Sequence, residues 1–115
     1  MMDYIEANES NWDETLNGKD IVLVDFWAPW CGWCRKLAPS FERLATEFAG
    51  RVKFVKVNVD EEPNLSERYA VQGLPTLKFF CEREPVHEIF GYLPEPALRS
   101  KIEQVLSTSR VCNVA

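Results

Sequence analysis

The chain has 115 residues, 46% of them hydrophobic, and a formal charge of −5. That size sustains one core burying roughly two-thirds of the unfolded surface, so a single domain is expected over residues 1–115, with a short tail over about 107–115. The acidic balance, with no Lys/Arg-rich block, excludes nucleic acid and anionic membrane surfaces as partners.

No stretch approaches the ~20 apolar residues of a membrane span, and the first ten residues have neither a basic head nor an apolar run. The expectation is a soluble cytoplasmic protein, and there four cysteines read as catalytic, metal-binding or free rather than as a structural framework. Residues 10–16 (SNWDETL) open with Ser10 three positions before Asp13, a capping-box-like start for a short helix closed by NGKD. Residues 21–27 (IVLVDFW) form a continuous apolar run broken by one acid, the pattern of a strand covered on both faces.

From Leu37 the period changes: Leu37, Phe41, Leu44, Ala45 and Phe48 recur at spacings of three and four, Pro39 should kink the helix, and Gly50 should end it. Residues 51–60 alternate Val55, Val57 and Val59 as a second strand, and Pro63 then opens a short helix. Strand, helix, strand in this order predicts a parallel pair with a right-handed crossover. Residues 76–81 and 86–92 read as an antiparallel hairpin across residues 82–85 (EREP), on an edge where Pro85 is tolerated. Leu98, Ile102, Val105 and Leu106 share one face of a last helix that has Pro96 near its start. The sum is an α/β domain: a central mixed sheet of four to five strands flanked by helices.

Residues 27–36 (WAPWCGWCRK) place Cys31 and Cys34 after the buried strand and at the start of a helix. Unpaired N–H groups and a positive dipole end stabilise a thiolate there, which makes Cys31 the nucleophile. Cys34, one turn later on the same face, can close a disulfide with it or resolve a mixed disulfide. A zinc site needs four ligands in tetrahedral reach, and beyond this pair the chain offers Cys81, His87 and Cys112, none at a ligand spacing. Two inert core cysteines are the bland alternative. Trp30 and Trp33 flank Cys31 so closely that at least one should face solvent as an apolar rim for a partner chain.

The segments VDFWAPWCGWCRKLAP (24–39), VKVNVD (55–60) and GLPTL (73–77), in this order and spacing, resemble the thioredoxin family over about residues 5–106. The resemblance implies the thioredoxin fold, with Cys31 as attacking thiol, Cys34 as resolving thiol and Asp25 as a buried acid beneath them. It also implies that Lys56 lies near that acid and that Pro75 is a cis-proline whose loop faces the disulfide and pairs with substrate backbone. Read on its own, Asp25 sits where an ionised carboxylate is costly, so its pKa should be raised enough to exchange a proton with Cys34. Lys56, opposite Val55, Val57 and Val59, reads on its own as a solvated lysine.

Three features depart from the family pattern. The cysteines enclose Gly32 and Trp33 where the family usually has Gly-Pro, residues 81–85 (CEREP) stand where relatives commonly carry glycines, and Cys112 lies in a tail after the last helix. Cys81 reads as a passive apolar residue, Cys112 as exposed and open to mixed disulfides or dimer formation, and His87 as a surface residue. The last four residues match a prenylation box only by coincidence, since Asn113 is not aliphatic and no polybasic stretch precedes it.

The expected function is reduction of protein disulfides held against Trp30, Gly32, Leu74 and Pro75, by a monomer with no bound cofactor or metal and the redox-active disulfide Cys31–Cys34 as its centre. No glycine-rich fingerprint follows a strand, so electrons must come from a separate thioredoxin-reductase-like donor. The alternatives are a disulfide isomerase, a dedicated donor to one client enzyme, and a redox-idle binding module built on the tryptophans.

Overall fold

Apolar runs of two kinds build the structure, a computed structural model that describes residues 3–108 and residue 112. The β-branched run Ile21–Trp27 forms strand β2, buried along nearly its whole length. It follows a short strand β1 (Tyr4–Glu6) and a five-residue helix α1 (Trp12–Leu16). Helix α2 (Gly32–Glu47) leads to strand β3 (Val52–Asn58) and helix α3 (Pro63–Arg68). Strands β4 (Thr76–Cys81) and β5 (Glu84–Phe90) precede helix α4 (Glu95–Thr108).

The sheet order is β1-β3-β2-β4-β5, with β1, β3 and β2 parallel and β4 and β5 antiparallel, so the expected mixed sheet has five strands. Alternation along β2 divides the core. Ile21 and Leu23 face a cluster filled by Leu37, Phe41 and Leu44 of α2 and Leu98, Ile102 and Val105 of α4. Val22, Val24 and Phe26 face Trp12 of α1 and Leu65 of α3.

Several local expectations are corrected. Ser10 caps nothing: its hydroxyl donates to Asn8 Oδ1, and Asn11 is the N-cap of α1, without a side-chain cap bond. The end of α2 falls where expected: the helix, which includes Pro39, ends at Glu47, the N–H of its C-cap Phe48 bonds the Leu44 carbonyl, and Gly50 follows at φ 87°. The hairpin turns on Glu82 and Arg83, at φ 50° and 75°, which brings Glu84 opposite Cys81 and Pro85 opposite Phe80. Cys112 is fully buried in the α2–α4 cluster, with its Cα 5.5 Å from that of Cys81, so it is not exposed. Helix α4 extends to Thr108, past the expected start of the tail, and residues 109–111 and 113–115 lie outside the described residues.

Candidate active site

The strand β2 ends at Trp27, and a tight connection follows in which the Cys31 N–H bonds the Ala28 carbonyl at 3.1 Å. Cys31 is the N-cap of α2, in extended conformation at φ −86° and ψ 113°. Its Sγ accepts the Cys34 backbone N–H at 3.1 Å, so the sulfur occupies the place of a capping oxygen at the positive end of a helix of 16 residues. Cys34 follows one turn on, its Cα 5.2 Å from that of Cys31, and the two sulfurs are bonded. Cys31 is 7% exposed and Cys34 3%, which leaves the first sulfur at the rim and the second behind it. A charge on Cys31 is stabilised here, whereas Cys34 must lose its proton in a dry setting.

Asp25 shares the α2-facing side of β2 with Leu23 and Ile21 and is 1% exposed. Its Oδ1 has no hydrogen-bond partner, and burial raises its pKa from 3.8 to about 7, against a smaller lowering by the Lys56 charge. The carboxyl therefore gains and loses a proton near neutrality. Lys56 stands beside Asp25 in the β2–β3 register and is 8% exposed, which corrects the solvated reading. Lys56 shares with Phe54 the side of β3 that α2 covers; its ammonium lies over Tyr4 and Trp27, with Nζ 5.1 and 4.8 Å from the ring centroids, and 3.8 Å from Glu42 of α2.

The rim brings the other expected residues together. Trp30 is 67% exposed, and its indole N–H donates to Asp60 at 2.9 Å. Leu74 packs on Ala28, Cys31 and Cys34, the Leu74–Pro75 bond is cis, and the Pro75 carbonyl accepts the Gly91 N–H at 2.8 Å. Gly32 opens α2 beside Arg35, which donates to the Pro29 carbonyl at 2.9 Å.

Sequence reasoning named Trp33 and Leu74 on this groove but missed Gly91 and Tyr92. Trp33, Leu74, Gly91 and Tyr92 line one cleft; the Trp33 and Tyr92 rings lie 5.5 Å apart, with Lys36 Nζ 5.2 and 5.0 Å from their centroids. The run of Phe90, Gly91 and Tyr92 just before α4 was its only signal, and nothing local said that it would fold back to α2. Cys81 and Cys112 lie at the other end of the sheet, so they cannot join Cys31 and Cys34 in a four-ligand metal site.

Comparison with known proteins adds four observations. A family model described as Thioredoxin matches residues 3–104. The chain is 44% identical over 101 residues to the chloroplastic M-type thioredoxin of Pisum sativum, covering 87% of this chain and 59% of that protein. It is 40% identical over 94 residues to a thioredoxin of Synechocystis sp., covering 82% of this chain and 88% of that one. The solved structure of Malassezia sympodialis thioredoxin superposes with a TM-score of 0.83 at 27% identity, covering 92% of this chain and 93% of the other. The chain thus spans about three-fifths of the plant relatives' length.

Proposed function

The chain belongs to the thioredoxin family, and from that membership we propose that it is a thiol-disulfide oxidoreductase, reducing disulfides of client proteins through Cys31 and Cys34. The reduced Cys31 thiolate attacks one sulfur of a client disulfide seated against Trp30, Gly32, Leu74 and Pro75. The client S–S bond breaks as the Cys31–client bond forms, and the departing client thiolate takes up a proton. Cys34 then gives its proton to the ionised Asp25 carboxylate and attacks the Cys31 sulfur. The Cys31–client bond breaks, the second client thiol leaves, and the Cys31–Cys34 disulfide remains. Two electrons have passed to the client, and a separate reductase returns two to the dithiol. The centre is the cysteine pair itself, without a bound cofactor.

One observation carries this reading: a sulfur at a helix N-cap receives the Cys34 N–H, on the same side of β2 as a buried acid that titrates near neutrality. Insulin reduction tests it. Cys31→Ser should abolish turnover, and Cys34→Ser should stop at a covalent Cys31–insulin complex visible by non-reducing electrophoresis. Turnover in Cys31→Ser, or no trapped complex in Cys34→Ser, refutes the assignment; full biological activity of the double serine variant would favour a binding module.

Trp33 favours a second reading, isomerase or dedicated donor, because it replaces a proline with a flat apolar side chain at the place where members of the superfamily differ in redox poise. With neither charge nor imidazole on Trp33, the potential is expected between thioredoxin's ~−270 mV and about −180 mV. A measured value above about −180 mV hands the protein to the second reading. The chemistry requires a reducing compartment. Our reading is the cytoplasm, with the chloroplast, named for the pea relative, as the rival compartment. We take the chain to act as a monomer; no described helix is long and apolar enough to cross a membrane.

A further inference from the structure

A second pair of cysteines lies outside the site described above. Cys81 ends β4, half-buried and packed against the α2–α4 core, and Cys112, beyond α4, is fully buried in that same core. Their Cα atoms are 5.5 Å apart, inside the window that a disulfide spans without moving the backbone. Three independent elements bring them there: the end of β4, the Glu82–Arg83 turn that follows it, and α4, whose Leu98, Ile102 and Val105 are seated against α2. We propose that Cys81 and Cys112 form a structural disulfide, a covalent clasp that fastens Cys112 to the end of β4 and stays closed while the Cys31–Cys34 pair cycles.

Location separates the two pairs. Phe80 pairs with Val22, so Cys81 abuts the start of β2, whereas Cys31 follows its end. Six strand residues at ~3.3 Å each put roughly 20 Å between the two ends, too far for sulfur to attack sulfur. Burial divides the second pair internally: Cys112 has no solvent access, whereas Cys81 is half-buried, so a reductant meets this disulfide from the Cys81 side alone. Attack at Cys81 has to expel the Cys112 thiolate into a fully buried apolar cluster, which disfavours its reduction relative to that of the pair at the rim.

The clasp closes by ordinary exchange with a low-molecular-weight disulfide. Before Cys112 is buried in the core, its thiolate attacks one sulfur of that disulfide and releases one small thiol. On docking, Cys81 gives up its proton and attacks the mixed disulfide at Cys112, releasing the second small thiol. Two protein thiols are oxidised and one small disulfide is reduced to two thiols. The closed loop spans a separation of 31 residues, long enough for the cross-link to restrict the unfolded chain appreciably.

Three measurements on the full chain test the clasp. Digestion of air-oxidised protein without reductant should give, by mass spectrometry, a peptide containing Cys81 linked to one containing Cys112. Stepwise reduction with dithiothreitol followed by alkylation should label Cys31 and Cys34 first, and Cys81 and Cys112 only at a reductant ratio at least about tenfold higher. Cys112→Ser should lower the melting temperature by on the order of 10 °C. The same variant should leave the rate of insulin reduction within about twofold. Absence of the linked peptide, labelling of Cys112 together with Cys31, or an unchanged melting temperature overturns the clasp. The first two readouts use the unaltered protein, so they stand even if the variant does not fold.

Discussion

Asp25 is the residue whose chemistry differs most from what its position in an apolar strand would otherwise favour. Its carboxyl is buried, Oδ1 is unpartnered, and its pKa is raised by burial from 3.8 to about 7. Well below pH 3.8 the carboxyl is protonated in folded and unfolded chains alike, and it carries no penalty. As pH rises toward 7 the unfolded chain ionises and the folded one does not, so stability is lost across that window and levels off above it. At ~1.4 kcal/mol per pH unit, the span from 3.8 to about 7 is about 4 kcal/mol. Asp25→Asn should therefore raise the melting temperature markedly at pH 8 and hardly at all at pH 4, as scanning calorimetry at the two pH values would show. The same variant should slow resolution of the Cys31 mixed disulfide by about 100-fold or more and erase its inflection near pH 7 in stopped-flow traces. An unchanged rate across pH 6 to 9 would remove Asp25 from the reaction. Lys56 lowers the Asp25 pKa from the neighbouring strand, so Lys56→Met should move that inflection upward. A stationary inflection would mean that the lysine acts only through packing on Trp27 and Tyr4.

Helix α2 links sequence to chemistry at the next scale, because its first residues bear the dithiol and its later ones hold the core. With Cys31 as N-cap and Cys34 donating its N–H to the sulfur, the thiolate is favoured over the thiol. Rates of iodoacetamide modification should give a midpoint for Cys31 below the ~8.5 of free cysteine. A midpoint at 8.5 would show that the helix end does not hold the charge. The start of α2 was legible because a buried strand, a cysteine pair and a run of period 3.6 follow one another directly. β1 was not, since three residues that are mostly exposed carry no periodicity and become a strand only by pairing with β3. The hairpin turn was legible as a turn but not in its length. Glu82 and Arg83 both take positive φ, which short turns usually assign to asparagine and glycine, so the sequence hid a two-residue connection inside a four-residue gap.

Across the whole molecule, the long-range pairings were the least legible part. Nothing near Tyr92 announces a partnership with Trp33, and nothing near Cys112 announces Cys81, because both depend on α4 returning along α2. Lys56 was misread for a related reason: alternation along one strand tells which side a residue points to, not whether another layer covers that side. The same layering sets the cost of opening the core. Phe54 of β3 is 1% exposed and sits between Phe41 of α2 and Phe48, the residue that caps its C-terminus, at centroid distances of 5.0 and 6.5 Å. Phe54→Ala removes the ring that joins sheet to helix and leaves a cavity that the two flanking rings cannot fill, at a cost of about 3–5 kcal/mol. Against a typical 5–15 kcal/mol of total stability, that is a large share and corresponds to a fall of about 10–20 °C in melting temperature. Phe54 pairs with Leu23, four residues before the end of β2, so the dithiol lies beyond the cavity. Insulin reduction per folded molecule at 25 °C should stay within about twofold of the parent while calorimetry records the loss. A variant that kept its melting temperature and lost its activity would show the reverse, that the position of Cys31 depends on this ring more than the fold does.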